Sequence, residues 1–438
     1  MWLILALLTL GGARVERGAE KNVNGVEFNL FCHIANMLNG EKIKDVKTDG
    51  LDSQAQAAWT EVKNIFTVTS NESYYNEVPT PTTTPGAEDG SAKAARIAKW
   101  VQARQEMEKT KLAGEPNKKK YTRQKRDKMP KGTQKKLNTP FKLASQAESE
   151  VQGVDRQLAT NAEEIRAAAR SAILGGNRQG SQTKPTVDDD AFGGNYATGC
   201  KGQAGTGKNL ANDIVCICCT DSGNDKTTLQ MCTSIDERAA YSAPYNSAAN
   251  AKTVFTALLT VCGKTSSKPE LTTGNIEASI AAFTAALGRN TKGSATNEGA
   301  YVFGNGEDSG DECNGGAASG QSRVSYHGLI TACTGTELGT AIVWIRQLQI
   351  VWTKLKTRRQ LLQKRERQQT RLISLAVKMQ ELYQEALHGE LPITTEAQNK
   401  PQPTPDSDKQ EACEKVTNKT ACEAKCCKWS GTEETIVK

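Results

Sequence analysis

Histidine is nearly absent. The 438-residue chain carries three, His33, His327 and His388. A hydrolase triad needs a histidine set in a formed cleft, and no motif around these three marks one. His33 follows Cys32, but adjacent residues on a helix do not face each other, so this is no thiol–imidazole pair. Long apolar runs are missing too. Past the first ten residues no segment approaches the ~20 apolar residues that cross a bilayer, so nothing in the body of the chain spans a membrane. Aromatics are scarce where charge is dense. Between Lys109 and Lys142 lie thirteen Lys/Arg against Glu115 and Asp127, a local charge of +11; with +7 overall, the remainder is about −4. That stretch has one aromatic before Phe141, Tyr121, and no recognition fold, so it reads as a solvated loop and not as a nucleic-acid tail.

Glycine and proline are absent from Thr340 to His388. In heptads, the a and d positions there are Ala341, Trp344, Leu348, Val351, Leu355, Arg358, Leu362, Arg365, Gln369, Leu372, Ala376, Met379, Tyr383 and Ala386. All but Arg358, Arg365 and Gln369 are apolar or aromatic, the signature of a helical seam. One helix over this span would run roughly 70 Å and must lay its stripe on partner helices. The three polar positions predict a place where the seam opens or where arginines snorkel past it. A second seam runs through Ala144, Ala147, Val151, Val154, Leu158, Asn161, Ile165, Ala168 and Ala172. Asn161 is the kind of lone polar seam residue that fixes register. The two seams are expected to pack side by side, antiparallel or parallel.

The first ten residues, Met1 to Leu10, read as the apolar run of a secretory signal peptide ending by about residue 19, with a buried N-terminal strand as the alternative. Helical faces follow at Phe28, Phe31, Ala35 and Leu38; from Leu51 to Phe66; and from Ala92 to Leu112. Prolines 79, 81 and 85 mark a loop between the last two. From Gly175 to Gly339 heptads give way to Gly, Ser, Thr and Asn, with short helices expected at Asn209–Cys216, Ala248–Val261 and Ile276–Leu287. Eight of the thirteen cysteines fall in this lobe. A region so poor in large apolar residues needs covalent staples. Residues 389–410, with four prolines, read as an extended linker, and 411–438 as a small cysteine-rich C-terminal domain.

The predicted fold is therefore mostly α: an elongated, coiled-coil-like helical bundle over 20–388, an inserted disulfide-rich, loop-rich lobe at about 175–339, and the C-terminal domain. Cysteine abundance behind a signal peptide favours an oxidising compartment. The disulfide candidates are Cys32, Cys200, Cys216, Cys218, Cys232, Cys262, Cys313, Cys333, Cys413, Cys422 and Cys427. Asn71 and Asn418 stand in N-glycosylation sequons.

Three patterns invite other chemistry. Gly202 to Asn209 is one residue short of a phosphate-binding loop, lacking the final hydroxyl that holds Mg²⁺. Cys216, Cys218, Cys219 and Cys232 could be drawn as a zinc site, but the spacing and the compartment favour disulfides. Glu307 to Glu312 lacks the spacing of a calcium loop. No metal, cofactor or catalytic residue is assigned.

Asn24-Gly25-Val26-Glu27-Phe28 with Cys32, Leu210-Ala211-Asn212-Asp213-Ile214-Val215-Cys216-Ile217-Cys218, and a tail containing Cys413-Glu414-Lys415, Asn418-Lys419-Thr420-Ala421-Cys422 and Cys427-Lys428-Trp429 resemble a trypanosome variant surface glycoprotein. The middle motif resembles the class B type of N-terminal domain. The resemblance implies an elongated homodimer, packed densely on the extracellular face of the plasma membrane by a glycosylphosphatidylinositol anchor. It implies a shield against host antibodies through antigenic variation, without catalysis. It implies a glycan on Asn418 and, to tie stem to lobe, a bond between Cys32 and Cys200. An outward-facing lobe would present residues around Ser309 to Ser325 to antibodies, with a serine there open to O-linked sugar. Cys219 and Cys426 stand out as extra thiols. The sequence stops at Lys438 without the expected closing cysteine, small-residue anchor site and apolar tail, so an incomplete or defective copy is expected. The alternative is a related surface receptor, with the basic stretch docking a host serum protein.

Overall fold

The computed structural model describes residues 22–39, 50–72, 75, 90–124, 129, 132–176, 188–201, 205–220, 231–233, 244–265, 268–289, 301–304, 322–332 and 338–388. In chain order the elements are α1 (Gly25–Leu38), α2 (Ser53–Thr69), α3 (Gly90–Lys109), β1 (Lys111–Leu112), β2 (Glu115–Lys119), α4 (Thr133–Leu174), α5 (Tyr196–Cys200), α6 (Leu210–Cys218), α7 (Ala248–Thr265), α8 (Thr273–Ala286), β3 (Val302–Gly304), β4 (Arg323–Ser325), α9 (His327–Ala332), α10 (Leu338–Ala341) and α11 (Val343–His388). The chain divides into two compact units: residues up to Asn64 with Thr139–Met379, and Ile65–Asn138 with Gln380 onward.

In the first unit α4 and α11 lie side by side. All nine seam positions of α4, from Ala144 to Ala172, are buried. Bonds between the two helices fix their direction. Arg365 Nε reaches Asp155 Oδ1 at 2.7 Å, Arg358 Nη1 donates to the Leu158 carbonyl at 3.1 Å, and Asn161 Nδ2 donates to the Lys354 carbonyl at 3.1 Å. Positions rising along α4 meet positions falling along α11, so the pair is antiparallel.

The polar interruption does not open. Arg358 and Gln369 are buried, and the Arg365 side chain is 12% exposed. The expected snorkelling is corrected: these side chains turn inward because acceptors wait for them. Asp155 also takes the Gly50 N–H at 3.2 Å, Arg365 reaches the Gly50 carbonyl, and Gln369 accepts from Asp52 N at 3.4 Å. Each buried charge thus has a charged or carbonyl partner, as burial demands.

At the lobe, α1 packs on α6, α7 and α8. β3 and β4 pair antiparallel and are wholly buried, with Phe303 opposite Val324. Phe31, Phe283, Phe303, Tyr326 and Trp344 form one aromatic cluster, the closest ring centroids 4.6 Å apart between Phe31 and Phe303. Trp344, in the first turn of α11, is wholly buried there.

In the second unit the basic stretch is not one loop. It holds the β1–β2 hairpin, and α4 begins at Thr133, well ahead of its seam. Lys, Gln and Leu favour helix, and Pro140 is accommodated inside it. α3 stops at Lys109, short of Leu112. Tyr383 Oη accepts from Thr122 N at 2.6 Å and donates to the Thr122 carbonyl at 3.1 Å, and Lys136 pairs with Glu385 at 2.6 Å. Among the described residues no helix is long and apolar enough to cross a membrane.

Candidate functional site

The lobe is organised on α6. Asn209 caps it, its Oδ1 accepting from Asn212 N at 2.8 Å while its Nδ2 donates to the Ala191 carbonyl at 2.7 Å. Every residue of this helix is buried, Asp213 included. Asp213 Oδ1 accepts from Gly207 N at 3.0 Å, and Oδ2 accepts from Tyr326 Oη at 2.8 Å and Trp344 Nε1 at 2.9 Å. One carboxylate therefore joins the loop before α6, the end of β4 and the start of α11. Complete burial pushes its pKa up from 3.8 to about 6, against the pull of those donors.

Asn212 extends the network. Its Nδ2 donates to the Gly199 carbonyl at 2.7 Å and its Oδ1 accepts from Tyr245 Oη at 2.6 Å, while Gly193 N donates to Tyr245 Oη at 2.7 Å. Asn24 Nδ2 reaches the carbonyls of Ile217 and Ser322, both at 2.6 Å. The sequence reading placed Asn212 and Asp213 in a motif without giving them a role. The available signal was a charged residue inside an apolar run.

The phosphate-loop resemblance ends in the same contacts. Gly207 has φ +69°, a conformation that suits glycine. Its N–H, which such a loop would offer to a phosphate, goes to Asp213 instead. Asn209, where a hydroxyl would hold Mg²⁺, is a helix cap.

Three disulfides staple this region: Cys32–Cys262, Cys200–Cys216 and Cys218–Cys232. The expected Cys32–Cys200 bond is corrected. α1 lies against α7, which brings Cys32 to Cys262, where Asn36 Nδ2 also donates to the Cys262 carbonyl at 3.0 Å. Cys200, at the end of α5, meets α6. With Cys216, Cys218 and Cys232 all in disulfides, the zinc drawing fails, and among the described residues no group of three or more ligand-type side chains could hold a metal. Cys219 is a free thiol, wholly buried, its pKa pushed up to about 12 by desolvation. Cys313, Cys333, Cys413, Cys422, Cys426, Cys427, Asn418 and the Glu307–Glu312 stretch lie outside the described residues, as do residues 1–19 and 389–438.

Of the expected outward stretch from Ser309 to Ser325, the described end turns inward. Ser322 and Ser325 are buried in and beside β4, so neither can carry sugar in the folded lobe. Asn71 is exposed, two residues past the end of α2. His33 is half-buried and its pKa is lowered by desolvation. His327 sits 5.9 Å from the Tyr301 ring, and His388 is exposed at the end of α11.

On the stem, a groove of about 370 Å³ between α4 and α11 is lined by Arg156, Thr160, Asn161, Glu164, Thr357 and Leu361, among others. Asn161 Oδ1 is buried there without a hydrogen-bond partner among the described residues.

Paired long helices carrying a cross-linked lobe built on an Asn-Asp hub define a helical stem-and-lobe domain. Residues 3–374 match the trypanosomal VSG domain, and the chain belongs to the trypanosome variant surface glycoproteins, with a class B-like N-terminal domain. It is similar to the variant surface glycoprotein WRATAT B of Trypanosoma brucei rhodesiense, 56% identical over 439 residues that cover 100% of this chain and 90% of that protein. Membership makes it a membrane-attached protein of the extracellular surface, a coat component in antigenic variation and immune evasion that meets host antibodies, and not an enzyme.

Proposed function

We propose that the chain works as a homodimeric shield, held to the membrane by a glycosylphosphatidylinositol anchor with its stapled lobe turned toward host antibodies. The observation that carries the dimer is the stem groove. The trough, lined by Arg156, Thr160, Glu164, Thr357 and Leu361, offers a second copy both apolar surface and polar groups. Ile350 and Val377 on α11 are 37% and 52% exposed and add apolar surface for such a partner. Residues 1–19 act as the leader, 389–410 as the linker and 411–438 as the C-terminal domain that carries the anchor. Glycans on Asn418 and on the exposed Asn71 belong to the same reading.

Sedimentation at micromolar concentration tests the dimer. The expected result is a dimer that Thr160→Arg with Thr357→Arg, both exposed in the groove, weakens; a monomer would overturn it. Release of the surface protein by a phosphoinositide-specific lipase tests the anchor, and resistance to the lipase argues against it.

A further inference from the structure

The β1–β2 hairpin is exposed at every position. It turns through Ala113-Gly114, where Gly114 takes φ +80°. Its ladder sets Lys111 opposite Lys119 and Leu112 opposite Glu115. Like charges directly across a ladder repel, and Glu115, the one acid in the hairpin, is paired with Lys118. Among the described residues, Lys111 and Lys119 have no acidic partner, and Lys109 at the end of α3 adds a third exposed ammonium beside them. Leu112 stands 38% exposed among these lysines.

The position of this charge gives it meaning. Thr122, three residues past β2, is hydrogen-bonded to Tyr383, and Lys136 is paired with Glu385. Both partners lie in the last turns of α11, in the same unit as the hairpin. From His388, the end of α11, residues 389–438 continue into the segment that the proposed function assigns to the anchor. The basic hairpin thus belongs to the same unit as the end of α11, after which the proposed function places the anchor segment.

We propose that the hairpin is a membrane-contacting element, with Lys109, Lys111 and Lys119 taking the phosphates of anionic lipid headgroups and Leu112 resting at the interface. Lysines on an open two-stranded ribbon suit a diffuse anionic surface; a fixed carboxylate partner would call for the planar fork of arginine. This rests on membrane attachment at the C-terminal end, and not on the dimer.

The test is co-sedimentation of the full chain, lipid-free, with vesicles of phosphatidylcholine alone and of phosphatidylcholine mixed with phosphatidylinositol. Binding is expected on the mixed vesicles only, weakening as salt passes about 0.15 M, and free inositol phosphate should fail to displace it. Lys111→Gln with Lys119→Gln should lower partition about thirtyfold, with helicity unchanged, and Leu112→Ser should lower it less. Equal binding to neutral vesicles, full binding by the double variant, or equally strong retention on soluble polyglutamate would overturn the proposal. Lipase release of the surface protein tells its failure apart from that of the anchor reading: a protein that the lipase releases, whose double variant still binds vesicles normally, rejects the hairpin contact alone.

Discussion

Within the first unit, the stem and the lobe hold themselves together by different means. The stem relies on repetition: nine buried positions along α4, eight of them apolar, and two buried apolar runs of α11, Trp344 to Val351 and Leu372 to Met379, supply burial turn after turn. Its polar layer around Asp155, Arg358 and Arg365 is local and sits inside that repetition. The lobe has no repeat. Short helices and two buried three-residue strands are held by disulfides and by one carboxylate that several segments share. Loss of one stem contact leaves its neighbours in place. Loss of one lobe link removes a tie that no repeat replaces, and leaves the shared aromatic core and the remaining hydrogen bonds to hold those segments.

The sharpest way to break the comparison is the Cys32–Cys262 bond, which spans 230 residues. Closing so long a loop is worth about 5 kcal/mol in the chain-entropy account, against about 3 for the 16-residue Cys200–Cys216 loop. Cys32→Ser with Cys262→Ser should therefore lower the lobe's melting transition most. The part of the far-UV ellipticity that comes from α4 and α11, the two longest helices, should persist to higher temperature. Coincident loss of both signals would show that stem and lobe do not differ.

Next comes Asp213→Ala. It leaves Gly207 N–H, Tyr326 Oη–H and Trp344 Nε1–H without their acceptor, at about 4 kcal/mol in total. Denaturant titration followed by tryptophan fluorescence should read it.

The pH response of the same carboxyl is somewhat smaller. Its folded pKa of about 6 lies above the ordinary 3.8, so folding favours the protonated form. That stabilisation is full below the unfolded value and is lost as pH rises through about 6, amounting to about 3 kcal/mol. The lobe should be firmer toward mild acid than at neutral pH. His33, lowered by burial, acts in the opposite sense, contributing stability that fades as pH falls. The Asp213→Asn variant, compared with the parent across the range, isolates the carboxyl, and an unchanged pH profile would count against its assigned role.

In the stem, Asp155→Ala strips Arg365 of its carboxylate partner, leaving it the Gly50 carbonyl, and should cost about 2 kcal/mol. Asp155→Leu with Arg365→Met should recover most of that, as buried ion pairs replaced by apolar groups often do. A double-mutant cycle by thermal melting measures the difference. Least of all, Cys219→Ala should shift stability by under about 1 kcal/mol. The native thiol should resist alkylation until the lobe unfolds, because a pKa near 12 and complete burial keep the thiolate away from the reagent.

The stem was largely legible because its information is local. Residues three and four apart on one helix share a face whatever surrounds them, so the α4 seam could be read position by position. The antiparallel sense could not, since apolar stripes bind equally well in either direction and the choice lies in pairs such as Asp155 with Arg365. The short helices near 210, 248 and 276 were legible in the lobe for the same local reason, within a few residues at their ends. Its wiring was not. Cys32 finds Cys262 because α1 lies on α7, and spacing along the chain carries no trace of that. Asp213 looked like one more polar residue until Tyr326 and Trp344, more than a hundred positions away, closed on it. The basic stretch misled because charge predicts exposure, which is correct here, and not backbone form, which the β1–β2 hairpin decides by ladder bonds.

By itself, then, the sequence determined that this chain makes long amphipathic helices, requires covalent staples in its middle third, and carries the motifs of its family. Those properties belong to side-chain periodicity and to composition. Tertiary structure alone decided which cysteines meet, that the seam arginines turn inward, and that a single aspartate serves as the lobe's shared acceptor. Each of these depends on groups distant in the chain coming within bonding distance, and only the packed arrangement of the helices sets that distance.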